Sequence, residues 1–212
     1  MKWYSFKANN TDKWEVIFQG GYKCPFICKY VTVRAIGENT QNGTYLLRIK
    51  LDKSQTISFG RFDGGRKIEV IAGEYFYIGS ALARRGATSL GNRLQRHCRK
   101  TPGKEDHRIL HELRSYFDSV GIKYTRSPSP KKLFWNIDHL LDLDDAEVIG
   151  VIFARNPVPL ENNWSKFLEE SGRTSIFAKG LGANDSRGHT HVQRFDEPDE
   201  IWWEQLPALL PK

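Results

Sequence analysis

Alternating hydrophobic and polar residues run through the first half of the chain and predict β-strands. The sequence Asp63-Gly64-Gly65 has the composition of a tight turn between two of them. Most connections are short, so neighbouring strands are expected to pair antiparallel. The predicted strands cover residues 14–18, 30–35, 44–51, 55–62, 67–71 and 74–78.

Apolar residues recur every three or four positions in much of the second half, which predicts helices. Gly121 and Gly172 follow two of these segments and are expected to end them. Because strands come first and helices follow, the pattern predicts an α+β domain in which helices flank a small, mainly antiparallel sheet. The predicted helices cover residues 90–100, 105–120, 135–141 and 159–171, with a further strand at 147–154.

This domain is predicted to occupy residues 43–195, because a loop-like run of polar residues and glycine precedes residue 43. Residues 1–42 then form an N-terminal extension laid against it, and residues 196–212 form a C-terminal tail. Trp202, Trp203 and Leu206 give the tail an aromatic character. Two interpretations stay open: the tail docks a protein partner, or it packs on its own domain.

The composition narrows the class of protein. The chain has 212 residues, of which 39% are hydrophobic, enough apolar bulk for a core. Lys and Arg total 32 against 25 acidic residues, and a net charge of +7 suits a polyanionic partner where the charge clusters. Three cysteines without regular spacing, and no long apolar stretch, predict a cytoplasmic protein with no membrane span.

Positive charge does cluster around the helix predicted at residues 90–100. Arg93, Arg96, His97 and Lys100 have the spacing of one helix face, and further arginines lie close by in the sequence. A solvated helix face is one interpretation. Like charges at this density repel unless an anion offsets them, which favours a polyanion site. The residues predicted to contact nucleic acid are Arg84, Arg85, Arg96 and Lys100.

Short motifs then resemble a known family. Gly43-Thr44-Tyr45, Tyr77-Ile78-Gly79 and the run from Arg93 to His97 resemble, in order, the elements of the GIY-YIG endonuclease superfamily. Segments 73–81, 96–100, 134–141 and 179–185 resemble its Uri-type branch, and the similarity covers about residues 43–195. The resemblance implies a GIY-YIG-like core and a metal-dependent phosphodiester hydrolase acting on nucleic acid, with DNA favoured.

The resemblance also implies catalytic roles. Tyr45 would be the general base or a water-orienting hydroxyl, Tyr77 a second hydroxyl near the phosphate, and His97 a proton-transfer or phosphate group. Arg93 would stabilise the transition state, and Glu161 would hold Mg²⁺ or Mn²⁺. A tyrosine has a pKa of about 10, so Tyr45 acts as a base only if cations lower this value or water carries the proton onward.

Alternatives remain for the metal ligand and for the activity. Glu161 follows Pro159 in the first helical turn, where an acid also complements the helix dipole, and Glu169 and Glu170 are substitute ligands. A module that binds nucleic acid without cleaving it is the competing function. The nature of the nucleic acid stays open as well: DNA or RNA, single strand, duplex or branched.

The chain departs from the Uri-type pattern at several positions. Members carry histidines where this chain has Phe134 and Asn136, and cysteines in a late segment that here holds Asp185, His189 and His191. These three residues are candidate phosphate or metal contacts.

Two other pairs have metal-like spacing. His107 and His111 fit one helix face, but no complete ligand set surrounds them, so an ordinary helix surface is expected. Cys24 and Cys28 lack two further zinc ligands and are expected to be free thiols.

Overall fold

The computed structural model describes residues 6–9, 13–16, 32–37, 40–182 and 190–212. The chain forms two compact units, Met1–Val31 and Thr32–Lys212. In the first unit, strands β1 (Phe6–Asn9) and β2 (Lys13–Val16) pair antiparallel. Cys24 and Cys28 lie outside the described residues.

In the second unit, the strands and helices that the hydrophobic pattern predicts are present with shifted ends. The strands Thr174–Ile176 and Val192–Phe195 and the helix Glu200–Leu209 were not predicted. The strands of this unit are β3 (Thr32–Gly37), β4 (Gly43–Leu51), β5 (Gln55–Ser58), β6 (Lys67–Val70), β7 (Gly73–Ala81), β8 (Ala146–Arg155), β9 (Thr174–Ile176) and β10 (Val192–Phe195). Its helices are α1 (Leu90–His97), α2 (Ile109–Val120), α3 (Asp138–Leu141), α4 (Glu161–Glu170) and α5 (Glu200–Leu209).

Six strands form one sheet in the order β3-β8-β4-β7-β10-β9. Only the β3–β8 pair is parallel, and the other neighbours are antiparallel. Strands β5 and β6 form a separate hairpin around a short 3-10 turn, Phe62–Gly65. The predicted α+β fold, a mainly antiparallel sheet flanked by helices, is confirmed.

The second unit includes residues on both sides of the range 43–195. Strand β3 is an integral edge of the sheet, because it pairs with β8 along its whole length. Helix α5 packs on the sheet, with Trp202, Trp203 and Leu206 buried, and Trp203 Nε1 donates to Thr32 Oγ1 at 2.6 Å. The tail therefore buries its aromatic side chains in its own domain, since an apolar helix face stabilises the fold by removing that surface from water.

Side chains alternate between the two faces of the sheet. Leu46, Phe76 and Ile152 point to the face covered by α4 and α5, where they form a hydrophobic cluster with Trp164 and Trp203. Residues at the intervening positions, Tyr45 and Tyr77 among them, point to the face that carries α1, α2 and α3. The site described below lies on this second face. In the described part of the chain, no helix is long and apolar enough to cross a membrane.

Candidate active site

Two tyrosines meet on adjacent strands because of the sheet register. In the β4–β7 pair, Tyr45 lies opposite Gly79 and Leu47 lies opposite Tyr77, so both tyrosines share one face. Their ring centroids are 6.1 Å apart in an edge-on arrangement. Gly79 makes room for this arrangement, since a Cβ atom there would overlap the Tyr45 hydroxyl. The two tyrosine motifs of the sequence are therefore parts of one packing unit.

Helix α1 brings His97 onto the tyrosine pair. His97 is the last residue of α1 and is fully buried, and its Nε2 atom lies 2.9 Å from the Tyr45 hydroxyl oxygen. Its ring also contacts the edge of Tyr77, at 5.5 Å between centroids. Tyr45, Tyr77 and His97, predicted from separate motifs, thus form one buried cluster.

Asp138 completes this cluster and was not singled out as a site residue from the sequence. It is the first residue of α3 and is fully buried, and its Oδ1 atom lies 3.6 Å from His97 Nδ1. Neither of these two atoms has a hydrogen-bond partner among the described residues. A carboxylate facing Nδ1 favours the tautomer with the proton on that nitrogen. Nε2 is then the acceptor, and the Tyr45 hydroxyl donates to it.

The other carboxylate oxygen of Asp138 holds the surrounding backbone. Oδ2 accepts from the backbone N–H groups of Phe134 and Trp135, each at 2.9 Å, and from Arg96 at 2.6 Å. Lys131 lies 3.7 Å from Oδ1. A buried charge persists when it is paired and hydrogen-bonded in this way. Asp138 therefore fixes both the His97 ring and the loop before α3.

Burial controls the ionisation of this cluster. It raises the pKa of Tyr45 well above its ordinary value, with Tyr77 acting in the same direction and Arg93 opposing. Burial likewise raises the pKa of Tyr77 to about 12. It lowers the pKa of His97 to about 4, although Asp138 opposes the change. Burial works against ionisation of Asp138, yet His97 and Lys131 hold its pKa far below the usual value.

These directions bear on the two routes by which the sequence allowed Tyr45 to act as a base. In the first route, nearby cations lower the pKa of Tyr45. Arg93 does act in that direction, but desolvation outweighs it. At neutral pH, Tyr45 is a neutral hydroxyl and His97 a neutral imidazole that can accept a proton.

Arg93 lies one turn before His97 on α1, and two contacts fix its guanidinium. It donates to the backbone carbonyl of Ser80 at the end of β7, and it lies over the Trp135 ring, 4.1 Å from the ring centre. Such a cation–π contact orients the guanidinium without neutralising it. Arg93 is partly exposed, so its charge remains available beside the tyrosines.

Glu161 opens helix α4 next to Tyr45. The preceding N–H, of Leu160, donates to Thr44 Oγ1 at 2.9 Å, which ties the start of α4 to β4. The partly exposed carboxylate of Glu161 raises the pKa of both Tyr45 and Tyr77 as one of the smaller influences on them. Glu161 thus joins the predicted set in space, while the substitute ligands Glu169 and Glu170 are exposed at the far end of α4.

The donor set around Glu161 is compatible with a hard divalent cation but does not form a protein cage. The described residues contain no group of three His, Cys, Asp or Glu side chains that could hold a metal. Mg²⁺ needs only one or two carboxylates when water and phosphate oxygens complete its shell.

His191 lies beside this set as well. Its Nε2 atom is 3.1 Å from Asn162 Oδ1, on the residue after Glu161, and its carbonyl accepts from the N–H of Ile78 at 2.9 Å. Of the three residues singled out in the late segment, His191 therefore lies at the site. Asp185 and His189 lie outside the described residues.

The predicted nucleic-acid contacts divide into two groups. Arg84 and Arg85 are exposed in the loop between β7 and α1. Arg96 instead pairs with Asp138. Lys100 is only 7% exposed and donates to the carbonyls of Leu143 and Ala146 at 2.7 and 3.0 Å.

The basic residues of this segment do not form one exposed stripe. Helix α1 ends at His97, which is buried like Lys100, whereas Arg93 is partly exposed and Arg96 is half-buried against Asp138 of α3. Helical spacing places residues on one face, but it does not tell whether that face is solvated.

His107 and His111 lie in different surroundings. His107 is buried before α2 and lies 3.6 Å from Glu147, whereas His111 is exposed on α2. The expected helix surface therefore holds for His111 and not for His107.

Comparison with protein families gives one match. A family model described as a domain of unknown function, DUF123, matches residues 44–206. Comparisons with curated proteins and with solved structures give no significant match. The match runs from β4 into α5 and thus includes the tyrosine cluster and part of the aromatic tail. Because the family model covers most of the chain's length, the chain belongs to the DUF123 family.

Proposed function

We propose that this chain is a metal-dependent endonuclease of the GIY-YIG type, in its Uri-type branch, which hydrolyses phosphodiester bonds in nucleic acid, with DNA favoured. One observation carries the proposal. Tyr45, Tyr77, Arg93, His97 and Glu161 come from four separate elements, and the last four all act on Tyr45, His97 through a hydrogen bond and the other three through their charge. A purely structural cluster has no need for a partly exposed arginine and a partly exposed carboxylate beside a buried hydroxyl–imidazole pair.

The proton path runs from water to His97. Tyr45 accepts a proton from the attacking water while its own hydroxyl proton passes to His97 Nε2, 2.9 Å away. This relay needs no free phenolate, consistent with the raised pKa of Tyr45. The imidazolium that results is stabilised by the Asp138 carboxylate, as in other hydroxyl–His–Asp arrangements. Asp138 thereby offsets the burial that keeps the resting imidazole neutral.

Arg93 stabilises the negative charge that develops on the phosphate. Cleavage builds negative charge on the non-bridging oxygens, and a cation held in place before the reaction stabilises that charge without reorganising. Trp135 and the Ser80 carbonyl hold the Arg93 guanidinium in this way. Arg84 and Arg85 extend the positive surface toward the rest of the strand.

Glu161 is the residue that would hold Mg²⁺ or Mn²⁺. When bound, the cation supplies Lewis-acid charge at the phosphate oxygens. In this proposal Glu161 is held beside Tyr45 by the Leu160–Thr44 hydrogen bond. A reducing compartment such as the cytoplasm suits the free, buried thiol of Cys98.

The decisive experiment incubates the purified protein with labelled single-stranded, duplex, flap and RNA substrates in Mg²⁺, Mn²⁺ or EDTA. Metal-dependent cleavage is expected for the wild type, and EDTA should abolish it. Glu161→Gln should still shift the substrate on a gel but not cut it. Glu169→Gln, on the same helix but at its far end, is the matched control and should cut normally.

The outcomes separate the two functions. Binding without cleavage of any substrate, in every metal condition, would favour the non-cleaving module over the nuclease. If only helix-dipole stabilisation is lost, Glu161→Gln should cut normally and be destabilised by about 0.3 to 1 kcal/mol. That result would remove Glu161 from the site.

A further inference from the structure

The loop between the basic connector and α3 presents an exposed aromatic ring beside the candidate site. Phe134 is 76% exposed. Among the residues that the structure describes, no other aromatic side chain is so strongly exposed. Burial of a phenylalanine ring ordinarily stabilises a protein by about 1.5 to 3 kcal/mol. Phe134 makes little of this contribution to the fold, so packing does not explain its place.

The ring is held on a rigid support. The N–H groups of Phe134 and Trp135 both donate to the buried carboxylate of Asp138, which also pairs with Arg96. The backbone N–H of Asp138 in turn donates to the Trp135 carbonyl at 2.9 Å. A ligand that stacks on Phe134 therefore meets a backbone that is already ordered, which lowers the entropic cost of binding.

Phe134 and Trp135 do not stack on each other. Their ring centroids are 5.1 Å apart and their planes are almost perpendicular, at 83°. With most of its surface open, Phe134 leaves a ring face free. Arg93, by contrast, lies over the ring of Trp135 at 4.1 Å. Along the surface, the Arg93 guanidinium is therefore followed by the Trp135 ring that it covers and then by the free ring of Phe134.

The positive charges around the free ring of Phe134 indicate which ligand stacks on it. Arg93 lies on one side, Lys132 next to Phe134 is exposed, and the connector before it is basic. A flat aromatic group that is covalently attached to a phosphate matches a free ring beside cations, and a nucleobase in a strand has this chemistry. The short distances from Arg93 to Trp135 and on to Phe134 suit one strand whose phosphate meets Arg93 and whose neighbouring base reaches Phe134.

We infer that Phe134 is a base-stacking platform that takes an unpaired nucleobase next to the phosphate bound at Arg93. In a duplex, each base is stacked within the helix and its faces are covered. The platform thus selects single-stranded, flap or otherwise unpaired nucleic acid over a continuous duplex. The inference deepens the proposed function and rests on it only in placing the phosphate at Arg93.

Fluorescence of 2-aminopurine tests the stacking directly. Short single strands, each with this base at a different position, are titrated with protein in EDTA so that no cleavage occurs. The same strands in blunt duplexes serve for comparison. Wild type should quench the fluorescence at one or two adjacent positions of the single strand and not in the duplex. Absence of quenching at every position overturns the inference.

Variants identify the ring responsible. Phe134→Leu keeps apolar bulk but removes the π-face, so it should lose the quenching and bind the single strand about tenfold more weakly. Duplex affinity should not change. Phe134→Trp should restore both signals. Ile201→Ala, at a residue that is 72% exposed on α5, is the matched surface control and should behave as wild type.

The result is independent of whether the protein cuts. Normal quenching by Phe134→Leu, or an equal loss of affinity for single strand and duplex, overturns the platform and leaves the nuclease proposal standing. Quenching that depends on Phe134 in a protein that cleaves nothing upholds the platform and refutes the nuclease. A thermal unfolding midpoint equal to that of the wild type verifies that Phe134→Leu is folded.

Discussion

Two buried histidines have nearly the same carboxylate pairing but different surroundings. His97 Nδ1 lies 3.6 Å from Asp138, and His107 Nδ1 lies 3.6 Å from Glu147. Both side chains are buried, and burial lowers the pKa of both, with the carboxylate opposing in each case. By distance, burial and direction of the pKa shift, the two pairs are alike.

The difference lies in which ring nitrogen is bound. His107 Nδ1 accepts from the N–H of Val148 at 3.2 Å, so the neutral ring carries its proton on Nε2, which has no hydrogen-bond partner among the described residues. His97 uses Nε2 to accept from the Tyr45 hydroxyl, and its Nδ1 faces the Asp138 carboxylate without a hydrogen-bond partner among the residues that the structure describes. His97 is therefore connected to a hydroxyl that can pass on a proton, whereas His107 braces the start of β8.

The largest expected effect tests this contrast directly. In His97→Gln the amide oxygen can still accept from Tyr45 but cannot take up its proton, so cleavage should slow by about 100-fold or more. In His107→Gln the rate should stay within about twofold of wild type, because the ring lies outside the proton path. Single-turnover cleavage rates measure both. Equal losses in the two variants would abolish the distinction.

Substitution of the carboxylates Asp138 and Glu147 should distinguish the two pairs in the same way, with a smaller effect on the cleavage rate. In Asp138→Asn the amide oxygen can keep the bonds from Phe134 and Trp135, so the amide nitrogen turns toward His97 Nδ1. The ring then carries its proton on Nε2 and cannot accept from Tyr45. The maximal rate should fall by about 10- to 100-fold with little change in KM. Glu147→Gln is the control, and a rate as low as that of Asp138→Asn would contradict the assignment.

Acid should destabilise the fold through these histidines. Because the pKa of His97 is about 4 in the folded protein and about 6.5 in the unfolded chain, the unfolded state binds more protons between these values. The stabilisation is complete above pH 6.5 and is lost as the pH falls toward 4, on the order of 3 kcal/mol for His97. His107 acts in the same direction.

Urea unfolding at pH 7 and at pH 4.5 measures this loss in the wild type and in each glutamine variant. Each substitution should flatten the pH dependence by the share of its own histidine. A wild-type free energy of unfolding that does not change over this range would show that neither ring is held neutral.

The smallest expected effect distinguishes the exposed cations Arg84 and Arg85 from Lys100, which is buried near His107. Arg84→Ala and Arg85→Ala should each lower the slope of log affinity against log salt by about 1 for a phosphate contact that is lost. Lys100→Met should leave the slope unchanged and lower stability, because its ammonium serves buried carbonyls near His107. A reduced slope in Lys100→Met would return this lysine to the nucleic-acid surface.

The sequence predicted the secondary structure better than it predicted which side chains are exposed to solvent. The strand at 44–51 and the strand at 74–78 match β4 and β7 closely, since a run of strand-forming residues next to a glycine marks a strand even where both of its faces are buried. The helical spacing of Arg96 and Lys100 did not predict how far each side chain is exposed, since Arg96 is half-buried and Lys100 is buried. A polar helix face is solvated or paired, depending on what packs against it, and here Asp138 and two backbone carbonyls occupy it.

Asp138 is a candidate site residue that the spacing of the motifs did not identify. It lies within the segment 134–141 that carried part of the resemblance, yet nothing in the spacing of Asp138 connects it to His97, 41 positions earlier. A lone Asp at the start of a short helix is typical of capping. Its burial distinguishes it as a site residue, together with its Oδ1 atom, which faces His97 and has no hydrogen-bond partner in the described part of the chain.

By itself, the sequence determined the order of strands and helices, the two glycine–tyrosine motifs and the identity of most candidate site residues. These features are local, because period, turn chemistry and motif spacing depend on near neighbours. The tertiary structure alone decided that Tyr45 and His97 are hydrogen-bonded, that the Asp138 carboxylate faces the His97 ring, and that Lys100 is internal. Hydrogen-bond partners, burial and the pKa shifts that follow from it depend on segments far apart in the chain, which meet only when the sheet and its helices pack together.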